Sequence, residues 1–174
     1  MKRAIRLIFF ALLLFTAFPV SSQGPGLYET PLIGDEGETV GVTAIWNSPK
    51  NIHVKIFPNE EWRITDTQTY VGLLPPPVAA NGQPVPGQFP YLSEHQPPAL
   101  MWDLVLSLQD DLGITSSDSR IYVYIAVHGD LVKLDEFDIP IDQTGFWMLG
   151  SYPLGKSMYG SYEMYLLALP AFLE

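Results

Sequence analysis

The chain has 174 residues, a formal net charge of −10, three histidines and no cysteine. That length supports one domain with a real core, and the missing thiols exclude disulfides and cysteine catalysis. The acidic balance argues against nucleic acid and anionic lipid headgroups as partners.

The chain opens with basic Lys2, Arg3 and Arg6. Leu7 to Phe18 is then apolar except for Thr16, and Pro19-Val20-Ser21-Ser22 follows. Basic start, apolar middle and small-residue exit read as a secretory signal helix over residues 1–22. The run is too short for a spanning helix of ~20 apolar residues, so no membrane segment is expected after cleavage. No cysteine offers itself for lipid attachment. Removal of the signal leaves six basic residues against nineteen acidic ones, a net charge of −13 on 152 residues.

Residues 23–38 are rich in Gly, Pro and acids and read either as a flexible leader or as a segment that wraps the edge of the domain. One domain is expected over 39–174. Val40, Val42, Ala44 and Trp46 alternate with Thr39, Gly41 and Thr43, which predicts a strand with the first set inward. Ile52, Val54 and Ile56 predict a second strand, and Trp62 to Gly72 a longer third one rich in β-formers. Residues 75–98 hold eight of the sixteen prolines. Proline removes backbone donors, so this stretch reads as a long loop, either a recognition surface or a rigid strap over one end of the sandwich.

Leu100–Leu112 fits a strand to about Ser107 followed by one helical turn. Ile121–His128 is apolar on both faces, as for a central strand. Leu131–Ile139 is expected to pair with it. Gly160–Leu169 gives a last strand with Tyr162, Met164, Leu166 and Ala168 on one face and a second face that is also largely apolar. About seven short strands joined by turns predict an all-β, antiparallel two-sheet sandwich.

Several segments then carry a likeness. They are Val40 to Asn47, Asn51 to Lys55, Trp62 to Gly72, Gly87-Gln88-Phe89-Pro90-Tyr91, Ile121 to His128 and Tyr152-Pro153-Leu154-Gly155-Lys156. In that order the chain resembles a β-sandwich domain of unassigned function. That domain recurs in secreted bacterial and archaeal proteins, often large multi-domain surface proteins. The likeness spans about residues 40–168. It departs at Gly145-Phe146-Trp147-Met148, where the family's Glu-Thr-Ala-Trp-Ala keeps only its Trp. The resemblance implies a fold and an exported location, and no catalytic residues.

The residues themselves point the same way. No Gly-x-Ser-x-Gly elbow, phosphate loop or dinucleotide fingerprint is present. His53, His95 and His128 lack zinc-ligand spacing. His128, at the end of an apolar strand, reads as a structural histidine. Asp135, Glu136, Asp138 and Asp142, and likewise Asp110, Asp111 and Asp118, read as solvated acidic faces, since neither run matches a calcium loop. Trp46 and Trp62 are expected in the core. Phe89, Tyr91, Trp147 and Tyr152 are the candidate ligand-binding residues, since aromatic rings can stack on a ligand and Phe89, Tyr91 and Tyr152 fall in expected loops. No metal and no cofactor is expected.

The sequence thus predicts an exported, non-catalytic binding or structural domain acting in the periplasm, outside the cell or at its surface. Its partner would be an extracellular protein or glycan. A carbohydrate-binding module would show Phe89, Tyr91 or Trp147 as an exposed platform. A small secreted hydrolase would place His128 or His95 beside a serine or carboxylate.

Overall fold

A computed structural model describes residues 26–115 and 120–167. The expected signal helix, the cleavage site, Asp118 and the last two residues of the expected final strand, Ala168 and Leu169, lie outside the described residues. Ten strands are present among them: β1 (Tyr28–Gly34), β2 (Thr39–Asn47), β3 (Asn51–Pro58), β4 (Trp62–Gly72), β5 (Tyr91–Ala99), β6 (Trp102–Ser107), β7 (Tyr122–Leu134), β8 (Pro140–Met148), β9 (Tyr152–Pro153) and β10 (Ser161–Leu166).

The strands form one antiparallel sheet in the order β5-β4-β7-β8-β1-β2-β3-β6, with β10 on β7 and β9 beside β10. The two end strands, β5 and β6, are consecutive in the chain. His95 of β5 meets Trp102 of β6 edge to face, with ring centroids 6.4 Å apart. The sheet therefore curls into a near-barrel, and a single wrapped sheet stands where two separate sheets were expected. Inward side chains of most strands, among them Leu32, Ile45, Ile56, Ile64, Ile125 and Phe146, fill one core. Each such side chain contributes about 1.5–3 kcal/mol when fully buried.

The thirteen-residue β7 organises this closure. Its first half, Tyr122–Ile125, pairs with β10. Its second half, His128–Leu134, pairs with β8. Its other edge pairs with β4 from Tyr124 to Lys133. Residues 131–134 therefore continue the central strand instead of folding back on it. The strand crosses Gly129 because no side chain fits there: a Cβ would lie 2.3 Å from the Asp66 carbonyl oxygen and 2.8 Å from the Phe146 ring.

Other differences have local causes. Residues 28–34, expected in a leader that is flexible or wraps the domain edge, form β1 between β2 and β8. A register shift places Val40 as an extra residue between the Leu32–Gly41 and Ile33–Thr39 pairs. Such a bulge reverses the faces beyond it. Val40 and Ala44 are buried as expected and Ile45 is buried as well, while Val42 is exposed and Trp46 is half-buried. Trp46 thus lies outside the core, stacked on His53 at 4.7 Å; Trp62 is buried as expected.

The proline-rich segment is shorter than expected, because residues 91–99 form β5. Pro97 and Pro98 are tolerated there since β5 ends the sheet and pairs only with β4. The helical turn after β6 is present, with Asp111 N donating to Ser107 O and Gly113 N to Gln109 O. The strand at 140–148 has no counterpart in the sequence reading. Pro140 to Gln143 are exposed on both faces, so no alternation marks them.

Candidate functional site

The segment from Leu73 to Pro90 crosses the outer face of β4, β7 and β8 as a strap. A 3-10 turn at Pro86–Gln88 delivers Phe89 onto that face. Phe89 is 2 % exposed and clusters with Ala126, Trp147 and Leu154. Its ring meets Tyr70 at 5.8 Å and Trp147 at 6.5 Å, both edge to face. The strap's tip is also tied down: Lys156 N donates to Gly82 O at 2.7 Å. Gly155, at φ +63°, approaches so closely that a Cβ would lie 2.1 Å from that same oxygen.

This arrangement separates the four candidate aromatics. Phe89 and Trp147 are buried against each other and cannot form an exposed platform. Tyr91 is half-buried and packs on the core. Tyr152 is exposed. Its ring stacks on Tyr162 at 5.4 Å, and Tyr162 in turn leans on Tyr124 at 5.7 Å.

Behind Tyr152 stands a residue the sequence reading missed. Glu163 is 7 % exposed. Its Oε2 accepts hydrogen bonds from Tyr28 Oη at 2.8 Å, Ser151 Oγ at 2.7 Å and Ser151 N at 3.0 Å. A buried carboxylate is tolerable when donors satisfy it in this way. Burial and the Glu163 carboxylate push the Tyr28 hydroxyl well above its usual range. The network fixes the segment that carries Tyr152. The inward face of β10 is Ser161, Glu163 and Tyr165, and Tyr162, Met164 and Leu166 share the other face. The only signal was one acid in an otherwise apolar alternation.

A second polar group lies beside the strap. His128 and Gln68 are cross-strand partners on β7 and β4. His128 Nδ1 lies 3.0 Å from Gln68 Oε1, and Gln68 Nε2 donates to Asp66 Oδ1 at 3.3 Å. Because the amide nitrogen is committed to a carboxylate, Gln68 Oε1 faces the ring and His128 Nδ1 carries the proton. The ring also packs edge to face on Trp147 at 4.5 Å. Burial lowers the His128 pKa, against weaker upward pulls from Asp130 and Asp35.

Asp66 pairs across the sheet with Asp130 on β7 and with Glu94 on β5. Burial, then the Asp130 charge and then Glu94 push its pKa up to about 6. A groove of about 570 Å³ over β4 and β5 is lined by Asp66, Gln68, Leu92, Glu94 and Gln96. No group of three or more His, Asp or Glu placed to hold a metal ion occurs among the described residues.

The remaining candidates have local partners. Asp111 Oδ2 accepts from Ser107 N at 2.7 Å, and Asp110 Oδ2 from Ser107 Oγ at 3.0 Å, capping the turn after β6. Asp135 Oδ1 accepts from Phe137 N and Ile139 N in the β7–β8 turn. His95 Nε2 is enclosed with no hydrogen-bond partner, and burial lowers its pKa. Neither His128 nor His95 is hydrogen-bonded to a serine or carboxylate as a hydrolase pair requires. The chain matches no known family model, no curated protein and no solved structure.

Proposed function

We propose that the protein is exported after loss of residues 1–22 and serves outside the cytoplasm as a non-catalytic binding or structural domain. Its partner is an extracellular protein or glycan. The observation that carries the binding reading is Tyr152, an exposed ring stacked on Tyr162 and backed by the Glu163 network. A ring held in place from behind loses little freedom when a ligand settles on its open face. The basic, apolar and small-residue order at the N-terminus supports export. The likeness to secreted bacterial and archaeal domains supports the same setting.

Phe89, Tyr91 and Trp147 do not form the platform expected of a carbohydrate-binding module, so the glycan reading rests on the Tyr152–Tyr162 stack alone, whose flat exposed ring would match the apolar face of a sugar. The test is a glycan array probed with the chain beginning at Gln23, beside its Tyr152→Ala variant. Binding that drops at least tenfold in the variant, with the melting temperature unchanged, supports the glycan reading. Binding that is equal in both chains overturns the Tyr152 site. For export, the secreted product is expected to begin at Gln23 by mass spectrometry. An uncleaved chain retained in the cytoplasm would count against it.

A further inference from the structure

The far end of the β7–β8 hairpin stands away from the core. Pro140 to Gln143 are exposed on both faces, whereas Phe146 to Met148 of the same strand are buried. At its tip three large apolar side chains face solvent: Phe137 at 72 %, Ile139 at 56 % and Ile141 at 64 % exposed. Single exposed apolar residues need no explanation. Three on one projecting turn make a patch of the kind that marks an interface.

The tip is also built to hold its shape. Asp135 N donates to Ile139 O at 2.9 Å and Asp138 N to Asp135 O at 3.1 Å. Asp135 Oδ1 receives Phe137 N at 2.8 Å and Ile139 N at 2.9 Å. Asp138 adopts φ 60°, a left-handed value that aspartate tolerates better than most side chains. A turn fixed in this way presents Phe137 and Ile139 with little ordering left to lose on binding.

Charge then selects the partner. Asp135, Glu136, Asp138 and Asp142 are interleaved with the apolar residues along the turn and the start of β8. Lys133 and Arg63 border the same groove as Asp135, Asp138 and Ile141, but Lys133 Nζ is paired with Glu61 at 3.1 Å and lies over the Trp62 ring at 4.5 Å. Arg63 Nη1 donates to the Glu60 and Trp62 carbonyl oxygens. The tip is thus apolar and anionic. A second copy of a chain with net charge −10 is repelled by it, and so is an anionic bilayer. We infer that the β7–β8 hairpin tip is a docking finger for another protein that offers an apolar cleft rimmed by lysine or arginine. This surface is separate from Tyr152, and the proposal does not depend on a glycan ligand there.

The test uses a fluorescein-labelled peptide of alternating Lys and Leu and reads anisotropy against the chain beginning at Gln23. Three variants are compared: Phe137→Ser with Ile139→Ser, Glu136→Lys, and Tyr152→Ala. All are surface changes, and melting curves confirm that they fold. Both hairpin variants are expected to weaken binding by about tenfold or more, a loss of about 1.4 kcal/mol. Tyr152→Ala is expected to leave it unchanged. Four results would each overturn the proposal: unchanged affinity in the hairpin variants; equal binding of an alternating Glu-Leu peptide; hairpin-dependent binding to phosphatidylglycerol vesicles; or self-association in sedimentation that the double variant abolishes.

Discussion

His128 illustrates how a polar residue at the end of an apolar strand becomes structural. Its Nδ1–H is taken by Gln68, and its ring packs on Trp147. Replacement by alanine removes both contacts and strands the Gln68 oxygen. His128→Ala is expected to lower stability by about 1–2 kcal/mol, read as a fall in melting temperature, and an unchanged melting temperature would refute the role. Asp66 behaves in the opposite sense to most carboxylates. Its folded pKa is raised to about 6, so the folded state holds the proton more tightly than the unfolded chain. The stability it contributes is present at low pH and is lost as pH rises through about 6. Asp66→Asn should therefore stabilise the protein at pH 7 by about 1 kcal/mol after allowance for solvent screening. The variant and parent should differ little at pH 4. Urea titrations at the two pH values measure this, and an equal difference at both would defeat it.

Among the elements, β3 was legible from strict alternation and β4 from its run of β-formers, although a bulge at Thr65 breaks the alternation of β4. β3 and β4 appear where Ile52, Val54 and Ile56, and the run from Trp62 to Gly72, place them. β2 was found, but its faces were reversed by the bulge at Val40, which depends on how β1 pairs with it. β8 escaped because its first four residues are exposed on both faces. Central β7 depends on Gly129, where Asp66 and Phe146 occupy the space of a side chain. Gly129→Ala is expected to cost about 2 kcal/mol or more by overpacking, seen as a lowered denaturation midpoint. A neutral result would mean that β4 and β8 can separate there without cost.

At the scale of the whole molecule, β1 closes the sheet between β2 and β8, and Tyr28 ties it to Glu163 of β10. Tyr165 Oη also donates to Gly26 O at 2.8 Å. A chain beginning at Gln23 should therefore fold with a cooperative melt. One beginning at Asp35 should lose it, since deletion exposes the edges of two strands and the core beneath Leu32. Circular dichroism of the two chains decides. A cooperative melt in the shorter one would restore residues 23–38 to the status of a dispensable leader.

The sequence by itself determined that this is an antiparallel all-β chain without thiol chemistry, and it located β3, β4 and the apolar stretch of β7. Those features rest on period-two burial, on β-propensity and on residue counts, all of which are local. Only the tertiary structure decided that the strands wrap into one sheet, that β1 belongs to it and that Phe89 and Trp147 bury each other under the strap. It also left Tyr152 exposed and the β7–β8 tip projecting. Each of these depends on which strand lies beside which and in what register. That choice arises from long-range pairing and close backbone approach, at positions such as Gly129 and Gly155, which no window of neighbouring residues contains.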